Sequence, residues 1–96
     1  MRLGLFGTFG DLRKQDVVDG TLTIIGISHP RPGAIISRYR MDAVVYAPGV
    51  PATSVMHRGV APVAKWPKPG SVLPVHVNRV KPERLVIDWD AVPDHD

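Results

Sequence analysis

The chain has 96 residues and a mass of 10.5 kDa, which is room for one small domain and excludes a catalytic domain joined to a cofactor domain. Ten Pro and nine Gly argue against long helices, and the absence of Cys removes disulfides, thiolate nucleophiles and zinc ribbons. The formal net charge of +3 is unevenly spread: residues 1–27 are balanced, residues 28–84 carry nine Lys or Arg against Asp42 and Glu83, and residues 85–96 carry four Asp.

Residues 1–16 read as an irregular N-terminal arm. Gly4, Gly7 and Gly10 interleave with Leu3, Leu5, Phe6 and Phe9, and each Gly costs about 0.5–1 kcal/mol relative to Ala in a helix. Both Phe residues of the protein lie here, so the arm needs a surface to cover. Two readings stand: a plug folded over one end of the domain, or a docking segment that buries Leu3, Leu5, Phe6, Phe9 and Leu12 in a partner. The apolar run is followed at once by Asp11 and lacks a small-residue cleavage pattern, which argues against a signal peptide. Nothing approaches the roughly 18 apolar residues of a membrane span, and a cytoplasmic location is expected.

Residues 17–90 read as a β-barrel domain. Val and Ile together number 20 against 13 for Leu and Ala, a tilt toward side chains that suit pleated surfaces. The first strand is Gly20–Ile27, with Gly26 placed for a bulge or a close backbone approach; an Asp19-Gly20 hairpin turn is the weaker alternative. His29-Pro30-Arg31-Pro32-Gly33 makes a loop. From Ile35 to Tyr46 the period is two: Tyr39, Met41, Ala43 and Val45 on one face, Arg38, Arg40 and Asp42 on the other. Pro48-Gly49 turns the chain into a third strand, Ala52–Val60, in which Val55 and Met56 flank the polar positions Ser54, His57 and Arg58. A Pro-rich crossing carries Trp66 as a lid. The fourth strand is Val72–Val77, which Pro74 assigns to an edge or a bulge and so leaves an edge for homo-oligomer formation. The fifth is Leu85–Trp89, and residues 91–96 form an acidic tail. The expected fold is all-β, a small five-stranded antiparallel barrel, OB-like or SH3-like.

Trp66-Pro67-Lys68-Pro69-Gly70, Leu73-Pro74-Val75, Lys81-Pro82-Glu83-Arg84 and Ile87-Asp88-Trp89-Asp90 resemble the frame of a small β-barrel domain of unknown function widespread in actinobacterial proteins. The resemblance spans about residues 20–90. It implies the barrel fold and supplies no catalytic residue. Asn78 stands where that family usually has Asp, and the arm lies outside the resemblance.

Chemistry-bearing motifs are sparse. His29, His57, His76 and His95 lack metal-ligand spacing, so no metal is expected; His57 and His76 meet only if their strands are neighbours, and exposed sheet histidines are the plainer reading. Asp88 and Asp90 share one face of the last strand and read as solvation of a sheet edge rather than an acid–base pair. No nucleophile elbow, phosphate loop or dinucleotide fingerprint occurs, and neither enzymatic activity nor a cofactor is expected. The leading expectation is a non-enzymatic accessory or adaptor subunit that docks on a larger protein or protein complex through its arm. The alternative is an OB-like nucleic-acid-binding module using Arg38, Arg40, Arg58, Lys65 and Lys68. Trp66 and Trp89 are expected to be structural, the second closing the last strand.

Overall fold

The computed structural model describes residues 16–94. Five strands, β1 (Val17–Ile27), β2 (Ile36–Ala47), β3 (Val50–Pro62), β4 (Val72–Asn78) and β5 (Leu85–Ile87), are joined by turns and two short 3-10 segments, Val63–Lys65 and Trp89–Ala91. They form one antiparallel sheet in the order β3-β2-β1-β4-β5. After the β1-β2-β3 meander the chain returns to the free side of β1, which is the Greek-key order. The sheet curls into a half-barrel, the arrangement of small, partly open five-stranded barrels.

The alternation in β2 is realised residue by residue. Tyr39, Met41, Ala43 and Val45 are buried, and Arg38, Arg40 and Asp42 are exposed. β1 is the central strand, and Leu22 pairs with Val45 on one side and Leu73 on the other. All three are buried, and full burial of each such side chain contributes about 1.5–3 kcal/mol. Fourteen buried residues between Leu22 and Val92 form one cluster.

β1 starts three residues earlier than the alternation predicts. Asp19-Gly20 is not a hairpin turn: Asp19 pairs with His76 and Gly20 with Val75. A side chain at Gly20 would collide with the Tyr46 carbonyl oxygen at 2.5 Å and the Ala47 Cβ at 2.8 Å. Close approach of β2, not a turn, requires glycine there. The bulge anticipated near Gly26 is present as a register shift between Ile24 and Gly26, and it leaves Ile25 61% exposed.

Three expectations are corrected. β4 is not an edge strand, since it lies between β1 and β5. Pro74 is tolerated because its carbonyl points away from β1 to accept from the Asp88 N–H at 3.0 Å. Its missing N–H therefore faces the side where the β5 ladder, confined to Val75–Val77 of β4, has already ended. The free sheet edges belong to β3 and β5, so Pro74 marks no edge for self-association. The last strand stops at Ile87, so Trp89 opens a 3-10 turn instead of closing a strand, and Asp88 and Asp90 share no strand face.

Candidate functional site

The interior and exterior of β2 and β3 have separate roles. Inward, β3 presents Val55, His57, Gly59 and Ala61; outward, it presents Met56, Arg58 and Val60. His57 is therefore not an exposed sheet histidine, and it does not meet His76 across paired strands, because β3 and β4 are not neighbours in the sheet. Its Nδ1 is 2.9 Å from the Tyr39 hydroxyl, and the two rings stack with centroids 5.7 Å apart. Burial pushes the Tyr39 phenol up to about 12, so the hydroxyl is neutral and donates. Burial also lowers the His57 pKa from its ordinary value, against a smaller opposing effect from a hydrogen bond to the Leu85 backbone. A neutral His57 thus accepts from the Tyr39 hydroxyl at Nδ1, with its ring set against the Leu85 backbone of β5.

These bonds span the seam between β3 and β5, where the backbone ladder is missing. Lys65 adds a second tie, its Nζ donating to the Trp89 carbonyl at 2.7 Å. Trp66 and Trp89 set their rings edge-on to Tyr39, with centroids 6.2 and 6.0 Å away. The Trp66 indole N–H donates to the Ser28 carbonyl at 3.0 Å. Both tryptophans thus pack into the domain, Trp66 as a buried lid and Trp89 against the core.

Arg40 and Arg58 are direct cross-strand partners on the outer face, and Arg38 is opposite Val60 one step along. Directly opposed Cβ atoms lie about 4.5–5.5 Å apart, and like charges placed so are destabilising. None of Arg31, Arg38, Arg40 and Arg58 has an ion pair among the described residues. Two shallow clefts meet at Arg38 and Val60. One, of about 540 Å³, adds Arg31, Ile36 and Ser37; the other adds Ser28, Tyr39, Arg40, Arg58 and Gly59. Asp42, exposed and opposite Met56, bounds the basic stretch on β2.

The five basic residues singled out from sequence therefore divide. Arg38, Arg40 and Arg58 come together, and Arg31, from the β1–β2 loop, joins them. Lys65 is engaged with Trp89, and Lys68 lies in the turn before β4, where its backbone N–H donates to Ser71 Oγ at 3.0 Å. The arm residues Leu3, Leu5, Phe6, Phe9 and Leu12 lie outside the described residues. Sequence reasoning missed the Tyr39–His57 pair, because from Val55 through Ala61 it is burial that alternates and not hydrophobicity.

The remaining polar groups have local roles. Asn78, 5% exposed, accepts from the Val80 and Lys81 N–H groups at 2.9 Å and thereby shapes the β4–β5 turn. His76 pairs with Asp19 at 2.9 Å on the surface. Among the described residues no group of three His, Asp or Glu is gathered as a metal-ligand set, and no helix is long and apolar enough to cross a membrane. Comparison with family models, curated proteins and solved structures finds no match.

Proposed function

We propose that this protein is a non-enzymatic binding module that holds a phosphate-rich polyanion against the outer face of β2 and β3. The observation that carries this reading is the direct opposition of Arg40 and Arg58, with Arg38 and Arg31 alongside and no ion pair on any of the four among the described residues. Such an arrangement raises the free energy of the unliganded face, and a bound anion relieves it. Guanidinium groups suit this partner because their donors match phosphate oxygens in pairs. The strand 2–3 face is also where five-stranded barrels of this order bind oligonucleotides.

The test is binding to inorganic polyphosphate across a salt series. The expected result is an affinity that falls steeply as salt rises, with a shallower slope in Arg40→Gln/Arg58→Gln. Binding that is equally strong and equally salt-dependent in the double variant refutes the reading.

A second reading, attachment to a larger protein assembly through the arm, draws support from the continuous core formed between Leu22 and Val92. Removing residues 1–14 then leaves a folded barrel that no longer retains its protein partner in purification from the native host. A truncated chain that unfolds makes the arm part of the core and overturns this reading.

A further inference from the structure

Beside the arginines the surface is apolar. Ile35, at the end of the β1–β2 loop, is 83% exposed, Ile36 at the start of β2 is 62% exposed, and Val60 opposite Arg38 is 54% exposed. Ile36 and Val60 line the same cleft as Arg31 and Arg38. Isolated exposed aliphatics are ordinary, but a group of them set among unpaired cations is a specific combination.

Nucleic acid does not account for that combination. Modules that hold single strands stack bases on exposed aromatic rings, whereas Tyr39 and Trp66 are buried and Trp89 packs on the core. Tyr46 is half-exposed, but it lies at the far end of β2, opposite Thr21 in a different cleft. Isoleucine offers phosphates nothing. It does gain from transfer into the boundary between headgroups and acyl chains while neighbouring arginines meet lipid phosphates.

We propose that the polyanion is an anionic membrane surface, on which the protein sits peripherally with Ile35, Ile36 and Val60 entering the headgroup boundary and Arg31, Arg38, Arg40 and Arg58 engaging lipid phosphates. This rests on the polyanion reading of the same face and commits it to one partner. Charge complementarity sets the orientation. The basic, apolar end of β2–β3 faces lipid, and Asp42 marks where that face stops.

Co-sedimentation of the full chain with vesicles tests the proposal. The vesicles are phosphatidylcholine alone or an equimolar mixture with phosphatidylglycerol, and a labelled single-stranded oligonucleotide is the parallel probe. The expected result is binding to the anionic vesicles only. Arg40→Gln/Arg58→Gln should weaken it about thirtyfold, since each basic residue near an anionic surface contributes on the order of 1 kcal/mol. Ile35→Ser/Ile36→Ser should weaken it about tenfold or more. Both isoleucines are exposed, and tryptophan emission from Trp66 and Trp89 checks that the variants stay folded.

If the isoleucine variant binds anionic vesicles as tightly as the parent, insertion is refuted while the polyanion reading survives. The same holds if the oligonucleotide binds and the vesicles do not, and nucleic acid then becomes the partner. If vesicles, oligonucleotide and polyphosphate all fail to bind, both proposals fall together.

Discussion

A β-carbon added at Gly59 would stand 2.5 Å from the Tyr39 hydroxyl oxygen and 2.8 Å from the ring carbon that bears it. Carbon atoms in good contact lie about 3.5–4.0 Å apart, so Gly59→Ala obliges the ring to move by about 1 Å. Tyr39 is 5% exposed and is held by His57, Trp66 and Trp89, so it cannot swing aside freely. Overpacking of this kind costs about 1–3 kcal/mol, and loss of the bond to His57 adds about 0.5–1.5 kcal/mol. Lower entropy of the unfolded chain returns about 0.5–1 kcal/mol. The net expectation is a destabilisation of about 0.5–4 kcal/mol. For a domain of this size each kcal/mol lowers Tm by roughly 4–8 °C, so thermal unfolding followed by near-UV circular dichroism resolves it easily. Gly26→Ala is the control, because no heavy atom lies within 4 Å of a β-carbon there and its φ is not positive. It should be neutral or slightly stabilising. Tyr39→Phe removes the 2.5 Å contact but keeps the 2.8 Å one, so Gly59→Ala should cost less in that background. A Gly59→Ala protein that melts at or above the parent temperature refutes the packing account of the seam.

Two further outcomes follow from the buried polar groups. Because the folded protein keeps His57 neutral with a pKa below 6.5, the unfolded chain binds more protons in that range. The stability this group contributes is therefore complete above pH 6.5 and is lost as pH falls through the folded pKa. Denaturant midpoints across this window should drop with acidification in the parent and drop less in His57→Gln; equal slopes for both proteins eliminate His57 as the cause. At the β4–β5 turn, Asn78→Ala strands two backbone N–H groups and should cost about 1–2 kcal/mol. Asn78→Asp keeps an acceptor for both donors and should cost less in urea unfolding, and the reverse order would show that Asn78 acts mainly through its amide nitrogen.

Local pattern made β2 readable before any fold was known, because one buried and one solvated face write a period of two into its residues. The turns were readable for a similar reason: Gly49 and Gly70 take positive φ, as tight connections require. β3 obeys the same alternation, but its inward side holds His57 and Gly59, a polar residue and one without a side chain. Hydrophobicity alone therefore hides which face is which. Pro74 sits in an interior strand because the β5 ladder ends at Val75, a long-range fact that the residues around Pro74 do not carry. Strand order is a property of the whole chain, and nothing local says that β4 returns to β1. Of the basic residues, parity along β2 united Arg38 with Arg40, whereas Arg58 joined them only through the β2–β3 register. Lys65 shows the limit of charge counting, since its ammonium group is spent on a backbone carbonyl at the seam.

The outer face of β2–β3 sets stability against binding in a way that can be measured on the free protein. Arg40 and Arg58 are opposed in register and lack ion pairs among the described residues, so their repulsion is a standing cost to the sheet. Arg58→Gln keeps much of the aliphatic stem and removes one charge, and it should therefore raise the melting temperature at low ionic strength by a degree or a few, equivalent to a few tenths of a kcal/mol. Because both side chains are exposed, salt screens the repulsion, and the advantage of the variant should shrink as salt rises. The same substitution should weaken binding to polyphosphate. A charge kept for solubility alone predicts no such opposition, since its removal would leave stability and binding uncorrelated. If Arg58→Gln melts lower than the parent at low salt, the guanidinium stabilises the sheet, and the case for an anion completing this face loses its physical basis.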